Sequence, residues 1–347
     1  PFTCIAPEGT VLNPVSPAAV GMRSLTCARL RSVIFGAFSQ AIPDRMPAAP
    51  AGNNCIINVK SHDERTGMAI IAAVNPVVGG GGGMPSRDGT NGSGADAAYL
   101  KNTPIEITET EVPVEFLKYG LAQDSGGPGR WRGGLATDMA FRVFAPDTRI
   151  TARNRDRSRF RPWGVLGGRA AGLSDMVVNP GTADERRLGS IDTAILQPGD
   201  VLEVRSAGGG GRGDPMLREP WRVAKDVARG YVSEPAARSE YGVVLTGGEV
   251  DEQATAALRS KAIPHKGHFH FGPERNAYET QWNDAAYDLL TTLLAALPIH
   301  WRFFVKTEIF RRMPGRAGAE GVRAAFEETC ARFPDLPRPA ALAAAAE

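Results

Sequence analysis

Glycine runs constrain this chain more than any other feature. Residues 79–83 are five consecutive glycines, residues 208–211 are four, and the stretch 124–135 reads Asp124-Ser125-Gly126-Gly127-Pro128-Gly129-Arg130-Trp131-Arg132-Gly133-Gly134-Leu135. Glycine is costly to order and proline lacks an N–H, so none of these stretches is a helix or a regular strand interior. Strand-like segments flank the last one, Pro113 through Tyr119 before it and Ala140 through Phe144 after it. It therefore reads as a rigid polar turn that projects Arg130, Trp131 and Arg132. Two readings fit. Its N–H groups and arginines suit an anionic group, and a tight connection at a sheet rim needs glycine for its backbone angles alone. Gly167-Gly168, after Arg161-Pro162-Trp163-Gly164, and Arg212-Gly213-Asp214-Pro215, after the 208–211 run, extend the series. None matches GxxxxGK[ST] or a strand–GxGxxG–helix unit, so no nucleotide loop is indicated. Close backbone packing or a crowded subunit contact is the expected use of such runs.

Charge narrows the partners. Lys+Arg 40 against Asp+Glu 38 leaves a net charge of +2, and arginines scattered among acids argue against a nucleic-acid partner. No apolar run approaches the roughly 18 residues of a membrane span, and no signal peptide is expected. The chain opens at Pro1, already inside Ile5-Ala6-Pro7-Glu8-Gly9, and reads as the middle of something larger. Cys4, Cys27, Cys55 and Cys330 contain no CxxC pair. Neither a disulfide framework nor a zinc knuckle is expected, and a reduced cytoplasmic protein is.

Hydrophobic periodicity predicts an α+β fold: a strand-rich, glycine-punctuated central layer with flanking helices and a helical C-terminal extension. Val20, Cys27, Leu30, Ile34 and Phe38 fall at helical spacing, and Pro43 ends the pattern. Strands are expected at 55–59 and 68–74, and strand signals run from 102 to about 205, with Ile105, Ile107, Val112, Val114 and Phe116 alternating. After Pro220 helices return at 220–230, 234–240 and 251–261. From Pro273 onward, aromatic helix faces are expected to dock on a core or a partner. The domain reading is 1–245, a linker over 246–272, a helical extension over 273–333 and a flexible tail over 334–347.

Two polar segments offer candidate ligand contacts. Asp88, Asn91 and Asp96 sit in a flexible run that can hold a polar ligand, although Asp-Gly and Asn-Gly are also ordinary turn dipeptides. Arg153-Asn154-Arg155-Asp156-Arg157-Ser158-Arg159-Phe160-Arg161 can neutralise a carboxylate or phosphate, or can form an alternating surface strand. His265, His268 and His270 lack the i, i+4 pair of a helical metal site and have no Cys or paired acid nearby, so no metal is assigned to them.

Taken together, the chain resembles the hydantoinase B/5-oxoprolinase family from its midpoint to its end. The matching stretches are Ile5 through Pro14, Gly83-Met84 with Arg87-Asp88-Gly89, Asn102-Thr103-Pro104-Ile105-Glu106, 124–134, 157–168, Pro198-Gly199-Asp200-Val201, 208–215 and 226–245. Each is weak alone; their order and spacing are specific. The resemblance implies a subunit of an ATP-dependent enzyme that opens cyclic amides, with acetone and acetophenone carboxylases as relatives. It implies ATP on a hydantoinase-A-type partner subunit and a divalent metal in the N-terminal half of the B-type subunit. That half, with its Asn-Asp-Pro-Tyr and Gly-Gly-Thr-His motifs, is absent here, and Gly94-Ala95-Asp96-Ala97-Ala98-Tyr99 stands where many members carry His-Thr-His. No cofactor or metal is therefore expected on this chain. The expected partners are the A-type subunit, the N-terminal half and a small-molecule substrate. Candidate substrate-binding residues are Asp88, Asn91, Asn102, Arg155, Asp156 and Arg157; no catalytic residue is assigned.

Three readings follow. The first is the C-terminal part of a B-type subunit of a cyclic-amide hydrolase, inactive alone and working in a hetero-oligomer. The second is a subunit of a ketone carboxylase. The third is a non-catalytic scaffold that holds partner subunits together.

Overall fold

The computed structural model describes the chain apart from residues 1, 2, 4, 19, 22, 53, 64, 94–101, 154, 190–192, 264, 266 and 339–347. The chain divides into two compact units, 1–272 and 273–347.

In the first unit, α1 (Arg23–Ala41) precedes the hairpin of β1 (Asn54–His62) and β2 (Ala69–Val78). Then come α2 (Ile105–Glu111), β3 (Val114–Leu121), β4 (Thr137–Val143), β5 (Thr148–Arg153), β6 (Gly164–Val165), β7 (Asp175–Val178), β8 (Arg186–Arg187), β9 (Thr193–Leu196) and β10 (Val201–Arg205). Their pairings are antiparallel and form two sheets, ordered β2-β1-β5-β9 and β3-β4-β10-β7-β8. The sheets close on one apolar core, with Ile57, Val59, Ile150 and Leu196 from the first and Met139, Phe141, Met176 and Leu202 from the second. The strand-rich layer between helices makes the fold α+β.

The glycine runs lie beside these sheets without joining them. Their hydrogen-bond partners recur every three residues. Gly80 and Gly83 donate to the carbonyls of Ala207 and Gly210, Gly208 and Gly211 to those of Gly172 and Arg169, and Gly89 and Gly92 to those of Arg132 and Leu135. Arg169 and Gly172 donate in turn to Pro128 and Ser125, and Ala48 and Ala51 to Gly83 and Gly80. A strand alternates every two residues, whereas three residues per turn is the polyproline II period, which aims successive groups at neighbours on different sides. Such crowding excludes Cβ atoms. One added at Gly133 would lie 1.7 Å from the Gly209 carbonyl oxygen, and one at Gly80 would lie 1.8 Å from that of Gly134. The runs serve close backbone packing within the chain.

Three local expectations change. The alternation over 105–116 begins as α2, because Pro104 precedes the first turn and Thr108 and Val112 fill the buried face while Ile107 is half exposed. The outward stripe of α1 is the apolar one: Leu30, Val33, Ile34 and Phe38 are exposed while Ser32 and Ser39 are buried. Finally, β5 ends at Arg153, so 155–161 is not an alternating surface strand.

The first unit ends with α3 (Pro220–Ala228), α4 (Glu234–Tyr241), β11 (Leu245–Thr246), β12 (Glu249–Val250), α5 (Glu252–Arg259) and β13 (Phe269–His270), which pairs with β6. The stretch read as a linker thus contributes a helix and a strand pairing. In the second unit, α6 (Pro273–Gln281), α7 (Asp284–Ala296), α8 (Ile299–Arg312) and α9 (Gly318–Arg332) enclose their own core of Trp282, Leu293, Val305, Ile309 and Phe326. Asn283 caps α7 by accepting from the Ala286 N–H, which separates α7 from α6. Trp282 stacks on Phe310 with ring centroids 4.3 Å apart.

Candidate functional site

The glycine bundle positions two arginine centres. In the first, Arg218 is 1% exposed. Its guanidinium grips Asp88 with two bonds of 2.7 Å, donates to Asp226 at 2.8 Å and reaches the Arg130 carbonyl at 3.0 Å. Arg132, also buried, donates to the Gly133 carbonyl at 2.6 Å, to Asp226 at 3.4 Å and to Asn91 at 3.4 Å. Its backbone N–H donates to Asp88, and that of Leu135 donates to Asn91. Tyr241 lies fully buried beside these charges.

Electrostatics follow from that packing. Burial alone would raise the Asp88 carboxyl pKa, but the Arg218 bonds and the charges of Arg218 and Arg132 outweigh it and hold Asp88 below the usual range. Burial works to lower the Arg218 pKa, and Asp88 and Asp226 reverse the sign and raise it. Burial raises the Tyr241 pKa, which keeps the phenol neutral. Two guanidiniums meet two carboxylates, so the charges balance, and the fork geometry fixes the loops that carry them. Asp88 and Asn91 accordingly spend their acceptor oxygens on the chain itself.

The second centre lies where 155–163 meets α1. Asp156 pairs with Arg29 at 3.2 Å. Arg29 also donates to the carbonyls of Ala51 and Gly52 at 2.7 and 2.8 Å. Arg157 donates to the same Ala51 oxygen at 3.4 Å, from a backbone with φ of 63° that side-chain-bearing residues rarely adopt. Burial and the neighbouring Arg29 charge push its pKa down to about 9 despite Asp156. Ser174 locks the turn, its hydroxyl donating to the Asp156 carbonyl and its N–H to that of Arg157 at 3.0 Å. Arg155 is half-buried on the same segment.

The remaining candidates lie elsewhere. Asn102 bonds Tyr119 and borders a depression of about 430 Å³ lined by Pro104, Phe116 and Lys118. The structure therefore groups Asp88 with Asn91, groups Arg155, Asp156 and Arg157, and leaves Asn102 apart. Asp96 and the segment 94–101 lie outside the described residues. His270 accepts the Ala170 N–H on Nδ1 at 3.1 Å; burial, then His265 and Arg169, lower its pKa, so it is a neutral packing group. His268 bonds Ser39 at 3.1 Å.

Among the described residues no three His, Cys, Asp or Glu side chains converge. Also among the described residues, the buried carboxylates of Asp226 and Asp138 and the half-buried one of Asp88 are already bound to cations, Asp88 and Asp226 to arginines and Asp138 to Lys118 at 2.5 Å and Arg205 at 2.8 Å. Among the described residues, no helix is long and apolar enough to cross a membrane.

Sequence reasoning singled out Arg132 but as a side chain projecting from its turn, whereas it is buried, and it missed Arg29, Arg218 and Asp226 as centre residues. Of these three, Asp226 carried a signal, an acid at the inner spacing of α3 with Val223.

The hydantoinase B/oxoprolinase family model matches residues 1–215. An uncharacterized protein, MJ0963 of Methanocaldococcus jannaschii, is 35% identical over 74% of this chain and 44% of its own length. The caprolactamase subunit beta of Pseudomonas jessenii is 31% identical over 74% of this chain and 45% of its own. The crystal structure of the ATP-dependent caprolactamase from that organism superposes with a TM-score of 0.66 at 29% identity, covering 74% of this chain and 46% of that one. A nucleotide-free acetone carboxylase structure shares the fold, with a TM-score of 0.54 at 20% identity over 86% of this chain and 42% of that one. The chain thus spans under half the length of these relatives. On the family match, which covers more than half of the sequence, the chain belongs to the hydantoinase B/oxoprolinase family.

Proposed function

We propose that this chain is part of the B-type subunit of an ATP-dependent cyclic-amide hydrolase, acting on a carbonyl that a partner subunit activates by phosphorylation. The observation that carries this reading is similarity to the caprolactamase subunit beta in both sequence and fold across 74% of the chain. In this reading a hydantoinase-A-type partner binds ATP, and the divalent metal belongs to the part of the relatives that this chain does not span. Phosphorylating the amide oxygen makes the carbonyl carbon electrophilic; water adds there, the ring C–N bond breaks as the nitrogen takes a proton, and the acyl phosphate left behind is hydrolysed to carboxylate and inorganic phosphate. This chain supplies position and charge: the glycine bundle holds the arginine-bearing loops rigidly, so their charge needs no reorganisation during reaction. Isolated, the chain hydrolyses neither ATP nor hydantoins.

The test is reconstitution with an A-type partner and the remaining part of the B-type subunit. Caprolactam, hydantoin and 5-oxoproline are offered with ATP, and acetone or acetophenone with ATP and bicarbonate in a parallel arm. The expected result is ATP-dependent opening of a cyclic amide. Ketone carboxylation without ring opening, or ATP turnover by this chain alone, contradicts the reading.

A further inference from the structure

The surroundings of Arg157 hold more positive charge than the described side chains neutralise. Arg29 and Arg157 both donate to the Ala51 carbonyl oxygen, a neutral acceptor placed where two guanidiniums converge. Asp156 is the carboxylate at this spot, and its ion pair is with Arg29. Arg31 adds a third positive charge that Arg29 senses, and its Nε is buried without a hydrogen bond, as is Nη1 of Arg29. Among the described residues no carboxylate pairs with Arg157, whose bond to Ala51 is longer than an ordinary N–H···O contact. The Arg157 guanidinium is part-buried, where an unpaired charge is less well solvated than at the surface. Its backbone is also held in the left-handed region by the Ser174 bonds, and strain of that kind collects at binding sites. The spot is open to solvent, since the Arg29 and Asp156 side chains keep 27% and 33% exposure.

We infer that Arg29 and Arg157 form a binding site for a small carboxylate or phosphate group, which displaces Asp156 from Arg29 or binds beside it and supplies the missing negative charge. Two planar forks converging on one point suit the paired oxygens of either anion. Asp156 then acts as an internal competitor that keeps the site soluble and ordered while empty. Anion binding here does not require the hydrolase reading to hold, because it is read on this chain without turnover.

Isothermal titration with inorganic phosphate and, separately, acetate provides the test, with melting temperature as a second readout. Phosphate or acetate is expected to bind and to raise the melting temperature. Arg157→Gln weakens binding about tenfold, the loss of one charged hydrogen-bond partner. Arg157→Lys, which keeps charge but not the fork, falls between. Asp156→Asn tightens binding several-fold, which a purely structural role for this pair does not predict. Phosphate binding well above acetate marks a phosphorylated ligand, and similar binding marks a carboxylate. No binding by the wild-type chain overturns the inference, as does binding unchanged in both Arg157→Gln and Asp156→Asn. If Arg157→Gln fails to fold, Asp156→Asn decides alone: unchanged or weaker anion binding refutes the site.

Discussion

The two arginine centres use the same side chain for different ends. At Arg132 and Arg218, two buried guanidiniums meet the carboxylates of Asp88 and Asp226, and every charge has a counter-charge within 3.4 Å. At Arg29 and Arg157, two guanidiniums meet, among the described residues, the carboxylate of Asp156 alone. A closed set of forks fixes loops in place, and an open one leaves a charge for something else to meet. The difference lies in the count of acids, not in the arginines, so arginine density in a sequence says little about which role applies.

Breaking the shared scaffold gives the largest effect. Gly133→Ala would place a methyl 1.7 Å from the Gly209 carbonyl oxygen, a contact that backbone atoms cannot relieve locally. Both centres hang on this bundle, so the variant is expected to be insoluble or to lose its cooperative unfolding transition by circular dichroism. A folded Gly133→Ala chain with wild-type melting would show that the bundle is not rigid.

Arg218→Gln comes next. It leaves the buried Asp226 and the half-buried Asp88 with less counter-charge, and breaking such a set costs about 3–5 kcal/mol. Urea unfolding should show that loss, whereas a cost under about 1 kcal/mol would place the centre among ordinary surface pairs.

A smaller effect separates the centres by pH. The folded-state pKa of Asp88 lies below its unfolded value. Its contribution to stability is therefore present above about pH 4 and lost as pH falls through the folded value. Asp88→Asn should flatten that part of the melting-temperature profile against pH, relative to wild type. Parallel profiles for the two proteins would mean that Asp88 is not tied to Arg218 as described.

Much of this arrangement was written locally and some was not. The 79–83 and 208–211 runs announce close backbone packing because no other residue tolerates it. Which runs touch, however, depends on contacts between residues more than a hundred positions apart, such as Gly83 with Gly210. Asp88 and Asn91 were legible as polar turn residues, a composition shared by turns and binding loops. Only the partners, Arg218 and the Leu135 N–H, reveal their use. The stripe of Leu30, Ile34 and Phe38 gave α1 its helical period correctly, but period does not say which face turns inward. The inward face holds Ser32, Ser39 and the Trp163 contact at Gly36. Arg29 escaped notice for the same reason, as an ordinary helical arginine until Gly52 and Asp156 are brought beside it.

The most direct test places Arg157→Gln and Arg218→Gln side by side in anion-free buffer and again with phosphate. The account predicts that Arg157→Gln unfolds within about 0.5 kcal/mol of wild type and loses its phosphate-dependent rise in melting temperature. Arg218→Gln should unfold far more easily, and whatever fraction stays folded should still respond to phosphate. Equal destabilisation by both variants, with the phosphate response intact in Arg157→Gln, would contradict the distinction between a closed and an open arginine centre.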